Sequence, residues 1–355
     1  MRILITGICG FTGSELALGL RRRDGQAEIS GIDSFVRPGS ETSLARLGRA
    51  GIGVRHGDVR CASDFEGLPA CDWVIDAAAN PSVLAGIDGR TSTRQLVEHN
   101  LLGTVNVLEF CRQHGAGLVL LSTSRVYSIA MMAALPLAVR DNAFAPVEGS
   151  WPAGASPQGI TEAFSTAAPV SLYGATKLAS EALALEYHDA FGIPVVINRC
   201  GVLAGPGQFG TAEQGIFSYW IRSWALARTL RYLGFGGMGH QVRDALHPAD
   251  LLDLVQRQIA RGSSASGIWN VAGGPANAMS LAQLSRWCAG EFGERPVESS
   301  ASERKWDLPW MVLDSRRARA EFDWQPVVPL GEILHQIAEH HRGHPEWLDL
   351  SRAHG

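Results

Sequence analysis

The segment Arg2-Ile-Leu-Ile-Thr-Gly-Ile-Cys-Gly-Phe-Thr-Gly13 indicates the fold of the whole chain. A short apolar strand leads directly into a glycine loop, and an amphipathic stretch of helical period begins inside that loop. Glycine lets the backbone turn tightly and approach a ligand closely, and a helix N-terminus attracts negative charge. This order of elements predicts a site for the pyrophosphate of a dinucleotide. The candidate residues are Gly7, Gly10, Phe11, Thr12 and Gly13.

Short apolar segments alternate with amphipathic stretches through the first two hundred residues. The predicted strands are 2–6, 28–33, 53–57, 72–77, 117–122 and 194–198, and the predicted helices are 12–23, 94–114 and 172–191. Alternation of this kind predicts an α/β fold, namely a Rossmann-type doubly wound parallel sheet. Dinucleotides bind such sheets at the carboxyl ends of the strands, where the glycine loop is expected to lie.

The pattern changes after residue 200, where glycine and glutamine become frequent. The predicted elements here are helices at 214–228, 249–260, 280–291 and 330–341, and short strands near 229–233 and 268–272. They indicate a smaller C-terminal α/β lobe. We therefore expect a dinucleotide-binding domain over 1–200 and a substrate-binding lobe mainly over 201–355. Residues 128–170 form a long insertion rich in Ala and Pro, and loops of that length are usually functional or mobile.

The composition is that of an ordinary globular protein, with 46% hydrophobic and 19% charged residues among 355. The net charge is −4 without basic or acidic runs, which argues against nucleic acid or an anionic membrane as a partner. No apolar run approaches the ~18 residues of a membrane-spanning helix, and the first strand leaves no room for a signal peptide. Six scattered cysteines without a C-x-x-C pair predict reduced thiols, so we expect a cytoplasmic protein without a metal site.

Asp33 ends the second predicted strand, 20 residues after Gly13. A carboxylate at this point can accept a hydrogen bond from a ribose 2′-hydroxyl and would repel a 2′-phosphate. The sequence therefore favours NAD over NADP as the cofactor. Arg37 follows closely and could pair with a 2′-phosphate, so NADP stays open as the alternative.

The ends of the third and fourth predicted strands supply further candidate cofactor contacts. Asp58 and Val59 follow the third strand and are placed to meet an adenine ring, although an aspartate at a strand end is also an ordinary structural feature. Ala77, Ala78 and Ala79 end the fourth strand. Their small side chains would let a cofactor lie close to the backbone.

Tyr173 and Lys177 are spaced so that they share one face of a predicted helix. The lysine can therefore place a positive charge beside the tyrosine hydroxyl. Free tyrosine titrates near pH ~10, and a nearby cation favours the phenolate. Tuned in this way, Tyr173 can take a proton from a sugar or alcohol hydroxyl while hydride leaves the carbon.

Further motifs accompany these residues along nearly the whole chain. They are Asn100-Leu-Leu-Gly-Thr-Val-Asn-Val-Leu-Glu109, Leu121-Ser-Thr-Ser-Arg-Val-Tyr127, Arg243-Asp-Ala-Leu-His247, Trp269-Asn-Val-Ala-Gly-Gly274 and Glu303-Arg-Lys-Trp-Asp-Leu-Pro309. As a set, they make the chain resemble the extended short-chain dehydrogenase/reductase family, which includes NAD-dependent nucleotide-sugar epimerases and dehydratases.

The resemblance implies a catalytic set of Thr123, Tyr173 and Lys177. Thr123 would hydrogen-bond the reacting oxygen beside the tyrosine, and the other two residues would also contact the cofactor. Asn100 and Cys200 are implied as further cofactor contacts.

The residues after Thr123 separate this chain from the dehydratases of the family. Those enzymes carry Asp-Glu directly after the hydroxyl residue as their acid-base pair, whereas this chain carries Ser124 and Arg125. Neither suits the protonation of a leaving hydroxide, which counts against 4,6-dehydration. Finer likeness in 205–215 and 241–247 points to a branch of CDP-sugar 2-epimerases, and it implies Ser124, Arg125 and Gln208 as substrate contacts.

Arg243 and Arg304 match the pyrophosphate-binding arginines of the family, and two guanidinium groups can clamp a diphosphate. The implied partner is a nucleotide-diphosphate sugar, with a CDP-sugar favoured, and the implied reaction is a redox-neutral epimerisation through a keto-sugar. A UDP-sugar 4-epimerase, another nucleotide-sugar oxidoreductase and a non-catalytic NAD-binding regulatory protein stay open as alternatives. Apolar faces in 103–114 and 174–190 lead us to expect a homodimer or higher homo-oligomer.

Overall fold

Strands and helices alternate along the chain in a computed structural model that describes residues 1–300 and 302–350. The strands are β1 (Arg2–Thr6), β2 (Glu28–Asp33), β3 (Gly53–His56), β4 (Trp73–Asp76), β5 (Gly117–Thr123), β6 (Leu137–Arg140), β7 (Ala143–Pro146), β8 (Ala155–Ser156), β9 (Gly159–Ile160), β10 (Val195–Cys200), β11 (Val202–Leu203), β12 (Arg231–Leu233), β13 (Val242–Leu246), β14 (Gly267–Val271), β15 (Ala278–Ser280), β16 (Glu298–Ser300) and β17 (Trp310–Met311). The helices are α1 (Phe11–Arg23), α2 (Ser43–Arg49), α3 (Thr93–Val97), α4 (Gly103–His114), α5 (Ile129–Ala133), α6 (Ser171–Phe191), α7 (Ile216–Ala225), α8 (Pro248–Arg261), α9 (Leu281–Phe292), α10 (Arg316–Phe322), α11 (Leu330–Gly343) and α12 (Trp347–Leu350).

Seven of these strands form one parallel sheet in the order β14-β10-β5-β4-β1-β2-β3. The predicted Rossmann-type α/β fold is therefore confirmed. The strand order reverses next to β1, and the crevice outside the carboxyl ends of the strands at such a point is where dinucleotides bind. Because the glycine loop follows β1 directly, it lies at this crevice.

Neighbouring residues of β1 pack on opposite faces of the sheet, since side chains alternate along a strand. Ile3 and Ile5 lie in a core with residues of α1 and α8, whereas Leu4 lies in a second core with residues of α4 and α6. The sheet is buried on both faces, which explains why its strands are continuous apolar runs in the sequence.

Strand β14 differs from the sequence-based expectation, which placed a strand near 268–272 in the second lobe. It pairs in parallel with β10, with Val271 opposite Cys200, and so completes one edge of the central sheet. The assignment of this strand to the second lobe is wrong, because strand pairing joins distant segments and chain order does not decide sheet membership. The division of the chain into domains at residue 200 otherwise stays a prediction.

The second lobe is built around β13, which pairs with β11, β15 and β17. Its core is formed by α7, α9 and α11 and includes Trp220, Trp224, Leu284 and Ile337. These helices fall on three of the stretches for which the sequence predicts helices. The lobe stands beside the carboxyl end of the central sheet, because β11 follows β10 after a single residue.

The insertion 128–170 is a folded unit that contains α5 and the hairpins β6–β7 and β8–β9. Ile160 exchanges backbone hydrogen bonds with the segment after β17, where its N–H donates to the Val312 carbonyl at 2.9 Å. Ser280, which caps α9, donates to the Asn142 carbonyl at 2.6 Å. Residues of the insertion do not line the cavity described below. The insertion therefore braces the second lobe from outside and does not cover the site.

Candidate active site

A cavity of about 860 Å³ joins the carboxyl end of the central sheet to the second lobe. Its walls contain most of the residues that the sequence singles out. Of the cofactor candidates, they include Gly7, Gly10, Phe11, Thr12, Gly13, Asp33, Asp58, Val59, Ala77, Ala78, Ala79, Tyr173 and Cys200. Of the catalytic and substrate candidates, they include Thr123, Ser124, Arg125, Gln208, Arg243 and Arg304. Asn100 and Lys177 are not part of the wall, and each is only 2% exposed.

The glycine loop fits a pyrophosphate because two of its glycines leave no space for a side chain. Gly7 has a φ of +62°, and a Cβ there would lie 2.9 Å from Ala78 Cα. A Cβ at Gly13 would lie 2.3 Å from the Gly7 carbonyl oxygen. Helix α1 begins at Phe11 without a side-chain cap, so no side chain competes with an anion for its first N–H groups.

Asp33 is held at the end of β2 by two backbone groups. Its carboxylate accepts hydrogen bonds from the N–H groups of Cys9 and Phe35, both at 2.8 Å. Burial raises the pKa of Asp33, and these hydrogen bonds oppose the shift. The residue lines the cavity one strand away from the glycine loop, where a carboxylate suits a ribose hydroxyl.

Arg37, the residue that left NADP open, is engaged by the second lobe. Its guanidinium donates to the Gln214 side chain and to the Phe209 carbonyl, the latter at 3.0 Å. Arg37 therefore ties the segment after β2 to the loop 205–215. These contacts use two of the five N–H donors of the guanidinium.

The predicted adenine contacts lie together at one end of the cavity. Asp58 lines the wall beside Val59, and its carboxylate forms an ion pair with Arg60 at 2.6 Å. His99 lines the same cavity, and burial lowers its pKa. Sequence reasoning missed His99, although it directly precedes a quoted motif. The contact of Asp58 with adenine stays a prediction.

Asn100 lies in a π-helical turn, Glu98–Leu102, which interrupts the predicted helix 94–114 between α3 and α4. Its side-chain oxygen accepts from the Asn80 N–H at 2.8 Å, and its amide donates to the Asn80 carbonyl and the Thr176 hydroxyl, both at 3.1 Å. Asn100 therefore fixes the loop after β4 to α6 from behind the wall. Its direct contact with the cofactor stays a prediction.

Tyr173 lies in the first turn of α6, and its hydroxyl is hydrogen-bonded to the side chain of Thr123 at the end of β5. Burial raises the pKa of Tyr173 to about 12, while the Thr123 hydrogen bond and the positive charge of Arg125 oppose the shift. The described residues therefore keep this tyrosine protonated at neutral pH. The structure brings together two of the three predicted catalytic residues in direct contact.

Lys177 lies one helical turn beyond Tyr173, on the same face of α6. Burial lowers its pKa, and the negative charges of Asp76 and Glu181 oppose that shift. Arg125 is a second cation whose charge acts on the Tyr173 hydroxyl. The role of Lys177 beside the tyrosine stays a prediction.

Helix α6 is fixed by two contacts, one with the turn after β5 and one with strand β10. A Cβ at Gly174 would lie 2.3 Å from the Arg125 carbonyl oxygen, so the helix approaches the turn after β5 as closely as glycine allows. Further along, Glu181 forms a buried ion pair with Arg199 of β10 at 2.6 Å. Because Glu181 lies on the helix face of the catalytic candidates, this pair sets their position.

Arg243 of β13 is anchored at the opposite end of the cavity. It forms an ion pair with Asp307 at 3.0 Å and donates to the Leu308 carbonyl at 2.9 Å. Gln241 donates to the other Asp307 oxygen at 3.0 Å. Sequence reasoning missed Asp307, whose signal was its place three residues after Arg304 in a quoted motif.

Arg125 and Arg304 line the same cavity and form no ion pair within residues 1–300 and 302–350. Arg125 donates from Nη1 to the Trp306 carbonyl at 3.3 Å. Burial lowers the pKa of the Arg125 guanidinium to about 9, and the positive charges of Arg243 and Arg304 add to this effect while Asp307 opposes it. This wall is electropositive, because Arg125, Arg243 and Arg304 contribute three positive charges and Asp307 contributes one negative charge.

The described part of the chain lacks both a metal-binding cluster and a membrane-spanning helix. It contains no group of three His, Cys, Asp or Glu side chains placed to hold a metal ion. None of its helices has the length and apolarity needed to cross a membrane.

The parallel sheet, the glycine loop and the Tyr173–Lys177 pair define a dinucleotide-dependent enzyme of the extended short-chain dehydrogenase/reductase class. Residues 3–272 match the NAD dependent epimerase/dehydratase family. The chain therefore belongs to this family, and its cofactor is NAD, which confirms the preference drawn from Asp33.

Individual relatives of different activities match the chain over nearly its whole length. CDP-paratose 2-epimerase of Salmonella typhi is 28% identical over 349 residues, which cover 92% of this chain and 95% of that protein. UDP-glucose 4-epimerase of Thermus thermophilus, solved with NAD, has a TM-score of 0.73 at 26% identity and covers 97% of this chain and 100% of its own. A double mutant of the dTDP-glucose 4,6-dehydratase DesIV from Streptomyces venezuelae, also solved with NAD, has a TM-score of 0.80 at 25% identity. The match covers 99% of this chain and 100% of that chain.

Proposed function

We propose that the protein is a nucleotide-sugar epimerase similar to CDP-paratose 2-epimerase, which inverts C2 of a CDP-sugar through a transient keto-sugar. The observation that carries the proposal is the Tyr173–Thr123 contact, which lies in one cavity with the glycine loop and with the arginine-rich wall. A nucleotide sugar whose diphosphate lies on that wall can present its sugar to the tyrosine. Relatives of three activities match the chain about equally, so local residues must decide between them.

NAD, when bound, supplies the acceptor and then the donor of two electrons, so that no net oxidation results. The glycine loop would hold its pyrophosphate, and Asp33 would hold its adenosine ribose. The positive charge of bound NAD would favour the phenolate form of Tyr173. In that form Tyr173 takes the proton of the sugar hydroxyl in the oxidative half and returns it to the carbonyl oxygen in the reductive half. Thr123 donates a hydrogen bond to the same oxygen and keeps it beside the tyrosine.

Inversion requires the keto-sugar to present its other face before it is reduced. Binding energy from the diphosphate and the base, which do not react, can keep the substrate in the cavity while the sugar turns. Arg243 and Arg304 are suited to this anchoring, because guanidinium groups bind phosphate oxygens in a planar, bidentate manner. The ion pair with Asp307 fixes the position of Arg243 in advance.

Dehydration is disfavoured by the side chains next to Thr123. Ser124 is buried and Arg125 points toward the second lobe, so neither provides the acid that a leaving hydroxide needs. Asp307 is a carboxylate of the same cavity, but it already accepts from Arg243 and Gln241. Epimerisation needs no such acid, since Tyr173 handles the only proton that moves.

The experiment that tests the proposal has two steps. Denaturing the purified protein and analysing the released ligands by mass spectrometry should yield NAD. The NAD-saturated protein is then incubated with CDP-, UDP-, GDP- and dTDP-sugars that carry deuterium at C2 or at C4. We expect inversion of C2 in a CDP-sugar, with the C2 deuterium returned to the opposite face and slowing turnover, while deuterium at C4 has no such effect and no net NADH forms. Inversion at C4 of a UDP-hexose would instead show a 4-epimerase, and net NADH would show a dehydrogenase.

We further propose that the protein is a homodimer through the helices α4 and α6. Exposed apolar side chains lie along this part of the surface, at Leu102, Leu172 and Phe191. Light scattering at micromolar concentration should give twice the mass of the chain, and Phe191→Glu should weaken the association. A monomeric mass for the unaltered protein would reject this assignment.

A further inference from the structure

The position of Arg125 carries an inference that rests on the proposed function and refines it. The residue lies between the two ends of the cavity. Its carbonyl oxygen packs against Gly174, the neighbour of Tyr173, while its guanidinium reaches the Trp306 carbonyl beside the Arg243–Asp307 pair. Arg125 therefore spans the distance between the reacting tyrosine and the anchored arginine.

The cavity wall between Tyr173 and Arg243 carries more positive than negative charge. Asp307 compensates Arg243 at 3.0 Å, whereas Arg125 and Arg304 have no acidic partner among the residues that the structure describes. A half-buried guanidinium without a counter-ion is costly unless an anion binds there. Two uncompensated cations match the two negative phosphates of a nucleoside diphosphate. Arg304 and Arg243 lie in the second lobe, so Arg125 is the one of these three arginines that adjoins the helix of the tyrosine.

The chemistry of the sugar says which phosphate reaches Arg125. The diphosphate is attached at C1, so C2 is the ring carbon beside the attachment point and C4 lies across the ring from it. When C2 faces Tyr173, the sugar-side phosphate must come close to the tyrosine. When C4 faces Tyr173, the whole width of the sugar separates them. The Arg125 backbone packs against the start of α6, and its guanidinium extends from there into the cavity toward the Trp306 carbonyl, which suits the first arrangement.

We infer that Arg125 binds the sugar-side phosphate of the substrate and thereby places C2, and not C4, at Tyr173. Arg243 and Arg304 bind the phosphate next to the nucleoside. Arg125 is thus a residue that determines the position of epimerisation, in addition to its contact with the substrate.

The test measures the affinity of the NAD-saturated protein for the mono- and diphosphates of cytidine, uridine, guanosine and thymidine by calorimetry. The unaltered protein should prefer the diphosphate of the base that it binds. In Arg125→Gln this preference should fall by about tenfold or more while the monophosphate affinity stays unchanged, because a charged hydrogen bond to the second phosphate is lost. In Arg304→Gln both affinities should fall together.

Two further variants serve as controls. Arg231→Gln removes a cation of the same cavity that is already paired with Glu298 at 2.5 Å, and it should leave the preference unchanged. Arg125→Lys keeps the charge and should restore part of the diphosphate preference that Arg125→Gln loses.

The outcomes separate this inference from the proposed function. A diphosphate preference that survives Arg125→Gln overturns the inference and leaves the epimerase in place, and Arg125 would then contact another part of the sugar. An unaltered protein that binds none of these nucleotides overturns the proposed function itself.

Discussion

The two ends of the cavity are built by different physical means. At the cofactor end, backbone atoms set the shape, because the glycine loop packs against itself and against the end of β4 with no room for a Cβ. At the substrate end, charged side chains from distant segments set it, with Arg125, Arg243 and Arg304 held by Asp307 and by carbonyl groups. A backbone site binds one ligand for a whole family, whereas a side-chain site can change its ligand by single substitutions. This difference explains how similar proteins can share NAD and act on different sugars.

The largest expected effect is on turnover and concerns Tyr173, which lies where the cofactor end of the cavity meets the substrate end. Tyr173→Phe keeps the ring and removes the hydroxyl that carries the proton, so turnover should fall by about 10²-fold or more, with NAD retained. Steady-state kinetics and the NAD content of the purified variant measure the two properties. Tyr187→Phe is the matched control, because Tyr187 lies on the same helix and contacts Glu109 outside the cavity. Near-normal turnover of Tyr173→Phe would show that another group moves the proton.

The next largest effect should occur at the backbone-built end. Gly13→Ala places a methyl group 2.3 Å from the Gly7 carbonyl oxygen, and overpacking of this kind costs up to about 3 kcal/mol. NAD binding followed by fluorescence titration should weaken by about a hundredfold. Gly290→Ala on α9 is the control, since a Cβ there meets no atom within 4 Å. Equal NAD affinity in both variants would contradict the steric account of the loop.

A smaller effect is expected at the side-chain-built end. Arg304→Ala and Arg243→Ala should each weaken nucleotide-sugar binding by about 1.5–3 kcal/mol, the value of a hydrogen bond to a charged group. NAD should remain bound, because neither arginine touches the glycine loop. Arg286→Ala provides the comparison, as its ion pair with Asp141 is on the exposed surface. Unchanged substrate affinity in both cavity variants would place the diphosphate elsewhere.

The smallest effect concerns the stability of the substrate end. Asp244 accepts hydrogen bonds from the N–H groups of Gly274 and Leu313, and burial raises its pKa from 3.8 to about 7. A carboxyl group whose pKa is raised on folding contributes stability that is complete below pH ~4 and is lost as the pH rises through 7. The unfolding temperature of the unaltered protein, compared with that of Asp244→Asn, should therefore fall by about 2–4 °C between pH 5 and pH 8. A constant difference across this range would show that Asp244 titrates normally.

Much of the fold and part of the site follow from local sequence patterns. The strand, glycine loop and helix of the first segment are visible because apolar periodicity and glycine spacing act within a few residues. The preference for NAD that was drawn from Asp33 is confirmed, while the contact of Asp33 with the ribose stays a prediction. The spacing of Tyr173 and Lys177 shows that they share a helix face, but it cannot show which buried charges surround them. The role of Lys177 beside the tyrosine therefore stays a prediction.

Local sequence patterns were sufficient to predict the order of the elements, the position of the cofactor loop and the residue types available for proton transfer. The folded structure was needed to show that β14 completes the central sheet, that the insertion 128–170 lies outside the cavity, and that Arg125 stands between Tyr173 and Arg243. The physical reason is that turns and helical faces depend on neighbouring residues. Strand pairing, burial and the balance of charges depend on segments that only the folded chain brings together.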